Sequence, residues 1–346
     1  MSQFLRNQWY VAAQSNEIEA KPFARRIVGE PLVLFRGSDG GVAALEDRCP
    51  HRKAPLSAGE VLGDEIQCGY HGARFRGDGS CTMFPSQPSG PGRGFVARSY
   101  AVVERHALVF VWMGEAASSD PALLPDWSAN TAPGWKAVHG YRHIRGHYQL
   151  VLDNLLDLTH LPFVHKATLA QPGMAEAPTK VEVRGNEVHT LRVMRGVDPA
   201  PIHRVVRKFE GKVDRWQTSD FRAPGYVDIT LGLQPAAPGE LRMDDVSHRV
   251  INSLTPETSA STHYFWSLTR RFAVEDEEVS RQFREMTGAA FEEDAALIEA
   301  QQRSIDADTS GRPMASFRED QAGAAARRIL ARLLEEESHR AAAAVA

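Results

Sequence analysis

Cys49-Pro50-His51 and, sixteen residues later, Cys68-Gly69-Tyr70-His71 put one thiol and one imidazole on each of two short loops, and this arrangement constrains the N-terminal third of the chain more than any other feature. A zinc site takes closed tetrahedral ligation of one ion, commonly from C-x2-C or H-x3-5-H pairs. A [2Fe-2S] centre of the Rieske type takes two thiolates on one iron and two imidazoles on the other. One Cys and one His per loop supply that division, so Cys49, His51, Cys68 and His71 are the expected cluster ligands. Exchanging two thiolates for neutral imidazoles raises the reduction potential well above that of an all-Cys cluster, and such a centre accepts electrons readily. Pro50, Pro55, Gly59, Gly63, Gly69 and Gly72 suit the tight loops it requires. Only Cys81 is then left of three cysteines, which excludes a disulfide framework and fits a reducing compartment.

The pattern around these loops is one of short apolar runs divided by turn residues, such as Leu32-Val33-Leu34-Phe35, Val42-Ala43-Ala44-Leu45 and Leu108 to Trp112, and it predicts strands. The reading is a small all-β domain over residues 1–118, with a surface loop from Pro85 to Gly92, followed by a second domain over 119–346. In the second domain Leu150 to His165 is helical in spacing. Residues 180–270 return to strand-like alternation, Glu275 to Asp306 forms a long helix, and Ala322 to Leu334 an amphipathic one. That is an α+β domain with a loop, Ala167 to Lys180, placed as a lid over a site built by the preceding helix. A net charge of -4 gives no basic field to recruit nucleic acid or an anionic membrane. No stretch approaches the ~18 apolar residues of a membrane helix, so a cytoplasmic location is expected.

A second constellation lies at Asp153-Asn-Leu-Leu-Asp-Leu-Thr-His-Leu-Pro-Phe-Val-His165. Steps of three keep Asn154, Asp157 and His160 on neighbouring parts of one helix, whereas the step of five to His165 carries it past that face. Pro162, between the two histidines, is the expected source of a kink that turns both imidazoles to one metal. Two histidines and a carboxylate would form a facial triad that leaves Fe(II) open to dioxygen. The best source of the carboxylate is the long C-terminal helix, where spacing leaves Glu292, Glu293 and Asp294 equally eligible. Asp157 is expected to accept a ring N–H from a ligand histidine through its carboxylate, fixing the tautomer. Asn154 is placed either toward the metal's water or simply beside it.

These residues together resemble the oxygenase components of Rieske non-haem iron aromatic oxygenases over nearly the whole chain. Arg6 to Ala13, Asp153 to His160, Phe209 to Trp216 and Leu254 to Thr258 are similar to the branch containing vanillate O-demethylase, dicamba monooxygenase and toluenesulfonate methyl-monooxygenase. The resemblance implies a Rieske domain joined to a helix-grip catalytic domain with an antiparallel sheet and a long C-terminal helix. It implies Asp294 as third ligand beside His160 and His165. It also implies a homotrimer in which electrons pass from cluster His71 of one chain through Asp157 of its neighbour to His160. One departure is Ala73, where the family often has a larger residue over the cluster.

The expected activity is O2-dependent O-demethylation, or methyl hydroxylation, of a substituted aromatic acid such as a methoxybenzoate. Electrons would come from NAD(P)H through a separate reductase or ferredoxin, since no Gly-rich dinucleotide fingerprint or flavin motif is visible. Ring hydroxylation at the same iron is the alternative, and an electron carrier with a ligand-binding domain a more remote one. Arg52, Lys53, Arg74 and Arg76 offer a positive patch beside the cluster for an acidic partner. Asp228, Asn252 and His203 are candidate polar contacts in the substrate pocket, and Arg204, Arg207 and Lys208, read as strand residues, are candidates for a substrate carboxylate.

Overall fold

A computed structural model of the chain describes residues 3–87, 94–171 and 173–345. Of the expected loops, Pro85 to Gly92 lies outside this set from Pro88 onward, as does Pro172 in the segment after His165. The chain divides into two compact units, one from Phe4 to Asp126 with Thr255–Thr258, the other from Trp127 to Leu254 and from Ser259 onward.

The first unit is all β. Its strands are β1 (Trp9–Gln14), β2 (Phe23–Ile27), β3 (Glu30–Arg36), β4 (Val42–Glu46), β5 (Glu60–Leu62), β6 (Glu65–Gln67), β7 (Arg74–Arg76), β8 (Cys81–Met83), β9 (Ser99–Tyr100), β10 (Val102–Arg105) and β11 (Leu108–Trp112). They form three small sheets ordered β1-β11-β10, β2-β3-β4-β9 and β5-β6-β7-β8. The apolar runs seen in the sequence fill its core, where Val33, Phe35, Leu45, Leu56, Ile66 and Phe75 pack against Cys49 and Cys68. The loop from β4 to β5 carries the first Cys-x-His pair and the β6–β7 connection carries the second.

In the second unit the elements are β12 (Lys136–Ile144), α1 (Tyr148–Leu156), α2 (Leu161–Val164), β13 (Thr179–Arg184), β14 (Glu187–Val197), α3 (Pro201–Arg207), β15 (Val213–Arg222), β16 (Tyr226–Pro235), β17 (Val246–Thr258), β18 (Ser261–Arg270), α4 (Glu277–Ala307) and α5 (Gln321–Val345). Strands β13 to β18 follow one another as an antiparallel meander, and β12 joins beside β18 to complete a seven-stranded sheet. Helix α4 starts where the Asp276 carboxylate accepts the Glu278 and Val279 amides, with Glu277 and Glu278 favouring the positive helix end. It turns one stripe inward, Phe283, Thr287, Ala290, Phe291, Asp294, Ala295 and Ile298, at the spacing of three and four that one helical face requires. Phe291 meets the rings of Tyr264 and Trp266 on β18 edge-on, which fixes the helix's rotation against the sheet.

Two expectations for this unit need correction. The helix over Leu150–His165 is broken, with α1 ending at Leu156, a 3-10 turn spanning Leu158–His160, and α2 following. The region of Arg204, Arg207 and Lys208 is helix α3 and its left-handed end at Lys208, not a strand, because Pro201 starts a helical turn readily. Among the described residues no helix is long and apolar enough to cross a membrane.

Candidate metal centres

The two cluster loops are built alike. In the first, the Cys49 amide donates to the Ala54 carbonyl at 2.8 Å and the Cys49 carbonyl accepts from Lys53 at 2.9 Å; in the second, Cys68 does the same with Ala73 and Gly72 at 2.8 and 3.0 Å. Lys53 and Gly72, equivalent positions, both have positive φ. The cysteines are buried and the histidines exposed, with the His51 and His71 rings 4.7 Å apart between centroids. Burial and the adjoining Cys68 push the Cys49 thiol up to about 11, so metal binding must release its proton. Two adjacent thiols inside and two adjacent imidazoles outside suit a cluster whose His-ligated iron faces the surface. Ala73, the departure noted in the sequence, is fully buried beneath the loop.

The second centre assembles at the break after α1. Asp157 is extended (φ -105, ψ 103), and its carboxylate caps the 3-10 turn by accepting from the Thr159 amide at 2.8 Å and its hydroxyl at 2.7 Å. The Asp157 carboxylate is therefore not the partner of His160. The backbone carbonyl of Asp157 takes that place, 2.5 Å from His160 Nδ1. Pro162 is likewise not the source of the bend. It sits in the first turn of α2, where its missing N–H costs nothing.

His160 Nε2 and His165 Nε2 lie 3.5 and 3.2 Å from Asp294 Oδ1, and the three ligand atoms form a group within 4.8 Å of one another. Neighbouring ligands on a six-coordinate ion at ~2.1 Å stand about 3.0 Å apart, close to the two imidazole–carboxylate separations, so the three residues can converge on a single ion. Each imidazole presents Nε2 because Nδ1 is engaged elsewhere, in His165 by Glu293 Oε2 at 2.8 Å. Burial pushes the Asp294 carboxyl up, but hydrogen bonds and charge from the two imidazoles hold it down at about 2.

The structure separates the three eligible acids by the 100° turn per residue of a helix. Glu292 is exposed and pairs with Arg142 at 2.8 Å, Glu293 orients His165, and Asp294 points into the site. Glu293 as support for a ligand was missed; its place next to Asp294 on a helix edge was the available signal. Asn154 stands beside the triad, with Nδ2 3.0 Å from Asp294 Oδ1 and 3.4 Å from His160 Nε2.

A cavity reaches the triad between the sheet, α1 and α4, walled by Leu155, Ile229, Leu231, Val250, Leu268 and Phe291. This apolar lining suits an aromatic ring. Of the expected polar contacts only His203 reaches it. Asp228 accepts from Trp127 Nε1 at 2.8 Å, and Asn252 is occupied by Tyr264 and by the Val227 and Val250 carbonyls. Arg215, Gln217 and His248, which the sequence reading did not single out, line the cavity instead.

Residues 8–103 match the Rieske [2Fe-2S] domain, and residues 144–336 match the vanillate O-demethylase oxygenase C-terminal domain. The chain is 37% identical to a toluene-4-sulfonate monooxygenase system iron-sulfur subunit of Comamonas testosteroni, covering 97% of this chain and 98% of the relative. It is also 37% identical to a vanillate O-demethylase oxygenase subunit of a Pseudomonas species, over 99% and 98%. The crystal structure of dicamba monooxygenase bound to 3,6-dichlorosalicylic acid superposes with a TM-score of 0.92 at 34% identity, covering 97% of this chain and 99% of that one. With both ligand sets assembled on the matching fold, the chain belongs to the Rieske non-haem iron oxygenases, as an oxygenase component of the vanillate O-demethylase type.

Proposed function

We propose that this oxygenase component demethylates an aromatic methyl ether, or hydroxylates an aromatic methyl group, of a substituted aromatic acid. The observation that carries the reading is the triad of His160, His165 and Asp294 at the wall of a largely apolar cavity. When bound, the mononuclear iron supplies dioxygen activation and the cluster supplies single electrons. The chain's own residues hold and orient. Leu155, Leu231, Leu268 and Phe291 wrap an aromatic ring and exclude water, while Asn154 and Glu293 fix the ligand carboxylate and imidazole. Demethylation balances as ether, O2, NAD(P)H and a proton going to phenol, formaldehyde, NAD(P)+ and water, and the reductant is oxidised on a separate reductase or ferredoxin.

Electron entry is read as inter-subunit within a homotrimer, from His71 of one chain to Asp157 of the next. Two features support this. Both cluster histidines are exposed, and Asp157 and Thr159 line a surface depression with Ala175, Phe317, Glu319 and Asp320, where Phe317 is 76% exposed. Arg52 and Lys53, exposed beside His51, offer the reductase a positive rim.

The test is a single turnover of protein loaded with both irons and pre-reduced, given oxygen and a panel of methoxylated, methylated and unsubstituted aromatic acids. Formaldehyde in step with a phenol establishes demethylation, and a benzylic alcohol establishes methyl hydroxylation. A ring-hydroxylated product without either overturns the reading.

A further inference from the structure

Arg215 is 5% exposed, on the face of β15 that it shares with Gln217 and Ser219, and it lines the cavity. Its guanidinium donates to Gln171 Oε1 at 2.7 Å and to Gln217 Oε1, two neutral acceptors, and no carboxylate pairs with it among the described residues. Nearby arginines do have acidic partners: Arg195 with Asp214, Arg204 with Asp198. A buried cation without a counter-ion is costly, and burial, then Arg192, pulls the Arg215 guanidinium down to about 9.

Two imidazoles share the same part of the cavity, His203 and His248, with ring centroids 5.7 Å apart. Both are held neutral by burial with Arg215 behind them, His248 at about 3. The buried His203 Nδ1 has no hydrogen-bond partner among the described residues. One strong cation and one ring nitrogen with bonding capacity to spare therefore converge where no carboxylate among the described residues pairs with the cation.

Their place is the end of the cavity away from the triad. His248 packs against Phe283, eleven residues before Asp294 on α4, or ~16 Å of helix. Ser219, four residues or ~13 Å along β15 from Arg215, bonds the Leu155 carbonyl next to Asn154.

We propose that Arg215 is the specificity-determining residue of the site, binding the carboxylate or sulfonate of an aromatic substrate at the far end of the cavity, with His203 and His248 completing the acid's hydrogen bonds. The acid supplies the counter-ion that the chain withholds, and a substituent on the side of the ring away from the acid is turned toward the triad. A neutral aromatic leaves the buried cation unpaired and is disfavoured. The assignment rests on the oxygenase reading of the cavity.

The experiment uses the holoprotein, anaerobic, with binding of 4-methoxybenzoate, toluene-4-sulfonate and the neutral 4-methoxybenzamide measured by calorimetry. Wild type is expected to bind both acids at least tenfold tighter than the amide. Arg215→Gln should weaken the acids at least 30-fold and leave the amide within threefold, and Arg215→Lys should restore part of the loss. Gln171→Glu, which retains Arg215 but supplies an internal counter-ion 2.7 Å away in the same geometry, should weaken the acids about tenfold and decides the matter should Arg215→Gln not fold. Equal binding of acid and amide by wild type, equal losses for both in Arg215→Gln, or unchanged acid binding in Gln171→Glu overturns the proposal. Product analysis is separate. Arg215-dependent binding of the acid without formaldehyde or hydroxylated product would sink the reaction and leave the anchor, whereas turnover indifferent to Arg215 would sink the anchor and leave the reaction.

Discussion

Gly59 tests the account of how the cluster loops are braced. Its φ of -100 lies outside the left-handed region, so a positive φ is not the reason for glycine here. Space is: a Cβ on Gly59 would lie 1.8 Å from the Gln67 carbonyl oxygen. An ordinary C···O contact is about 3.3 Å, so in Gly59→Ala the carbonyl must retreat by roughly 1.5 Å. Gln67 pairs with Glu60 in the β5–β6 ladder and immediately precedes the ligand Cys68, so the retreat is passed to the sulfur. Ligand positions in a metal site hold to about 0.2 Å, several times less than the displacement. Overpacking against backbone adds about 1–3 kcal/mol of destabilisation. The expected result is cluster content several-fold below wild type, measured by visible absorbance and by iron and acid-labile sulfide, with a lowered melting temperature. Gly63→Ala is the control. Nothing lies within 4 Å of its Cβ and its φ of +65 brings only about 1 kcal/mol of strain, so the cluster should survive. Full cluster content and unchanged melting in Gly59→Ala would refute the reasoning.

Glu293→Gln keeps an acceptor for His165 Nδ1 but removes the charge, and iron affinity at the triad should fall ~10-fold, toward 100-fold in Glu293→Ala, by chelator competition. Unchanged affinity in both would remove Glu293 from the site. Asp157→Asn can still accept from Thr159 through its amide oxygen and leaves the carbonyl on His160, so both metals should load while reduction of the mononuclear site slows by orders of magnitude in stopped-flow. Normal rates would end the proposed electron route. Asp228 is raised to about 6, chiefly by burial, against 3.8 for the free side chain. The folded state therefore holds the proton more tightly than the unfolded one, and stability falls as pH rises from about 4 through 6. Asp228→Asn, still accepting from Trp127, should flatten that part of the melting-temperature profile; an unaltered profile would assign the slope to other groups.

Both metal centres were legible to different depths, and the difference follows from the range of the interactions. The proposed cluster ligands were readable because each tight loop pairs a Cys with a His, and the two loops share one backbone pattern. His160 and His165 were readable as a pair, but the cause of their convergence was misplaced. Pro162 drew attention as a helix breaker, while the break was made by Asp157 bonding to Thr159, a capping pattern that was equally present in the sequence. Asp294 lay beyond local reading, because adjacent acids on a helix differ only in direction. The stripe Phe283, Thr287, Phe291 and Ile298 would have pointed to it, since burying that face also buries Asp294 and turns Glu292 to solvent.

Sequence by itself set the chemistry expected of this chain: which cysteines and histidines are candidates to bind iron, and that a β unit precedes an α+β unit. Only the tertiary structure decided direction. Alternation puts Arg215 and Gln217 on one face of β15, yet that face becomes the wall of a cavity because α4 covers it. A strand of period two presents two equivalent faces, and which one is buried is settled by what packs against it, not by the strand.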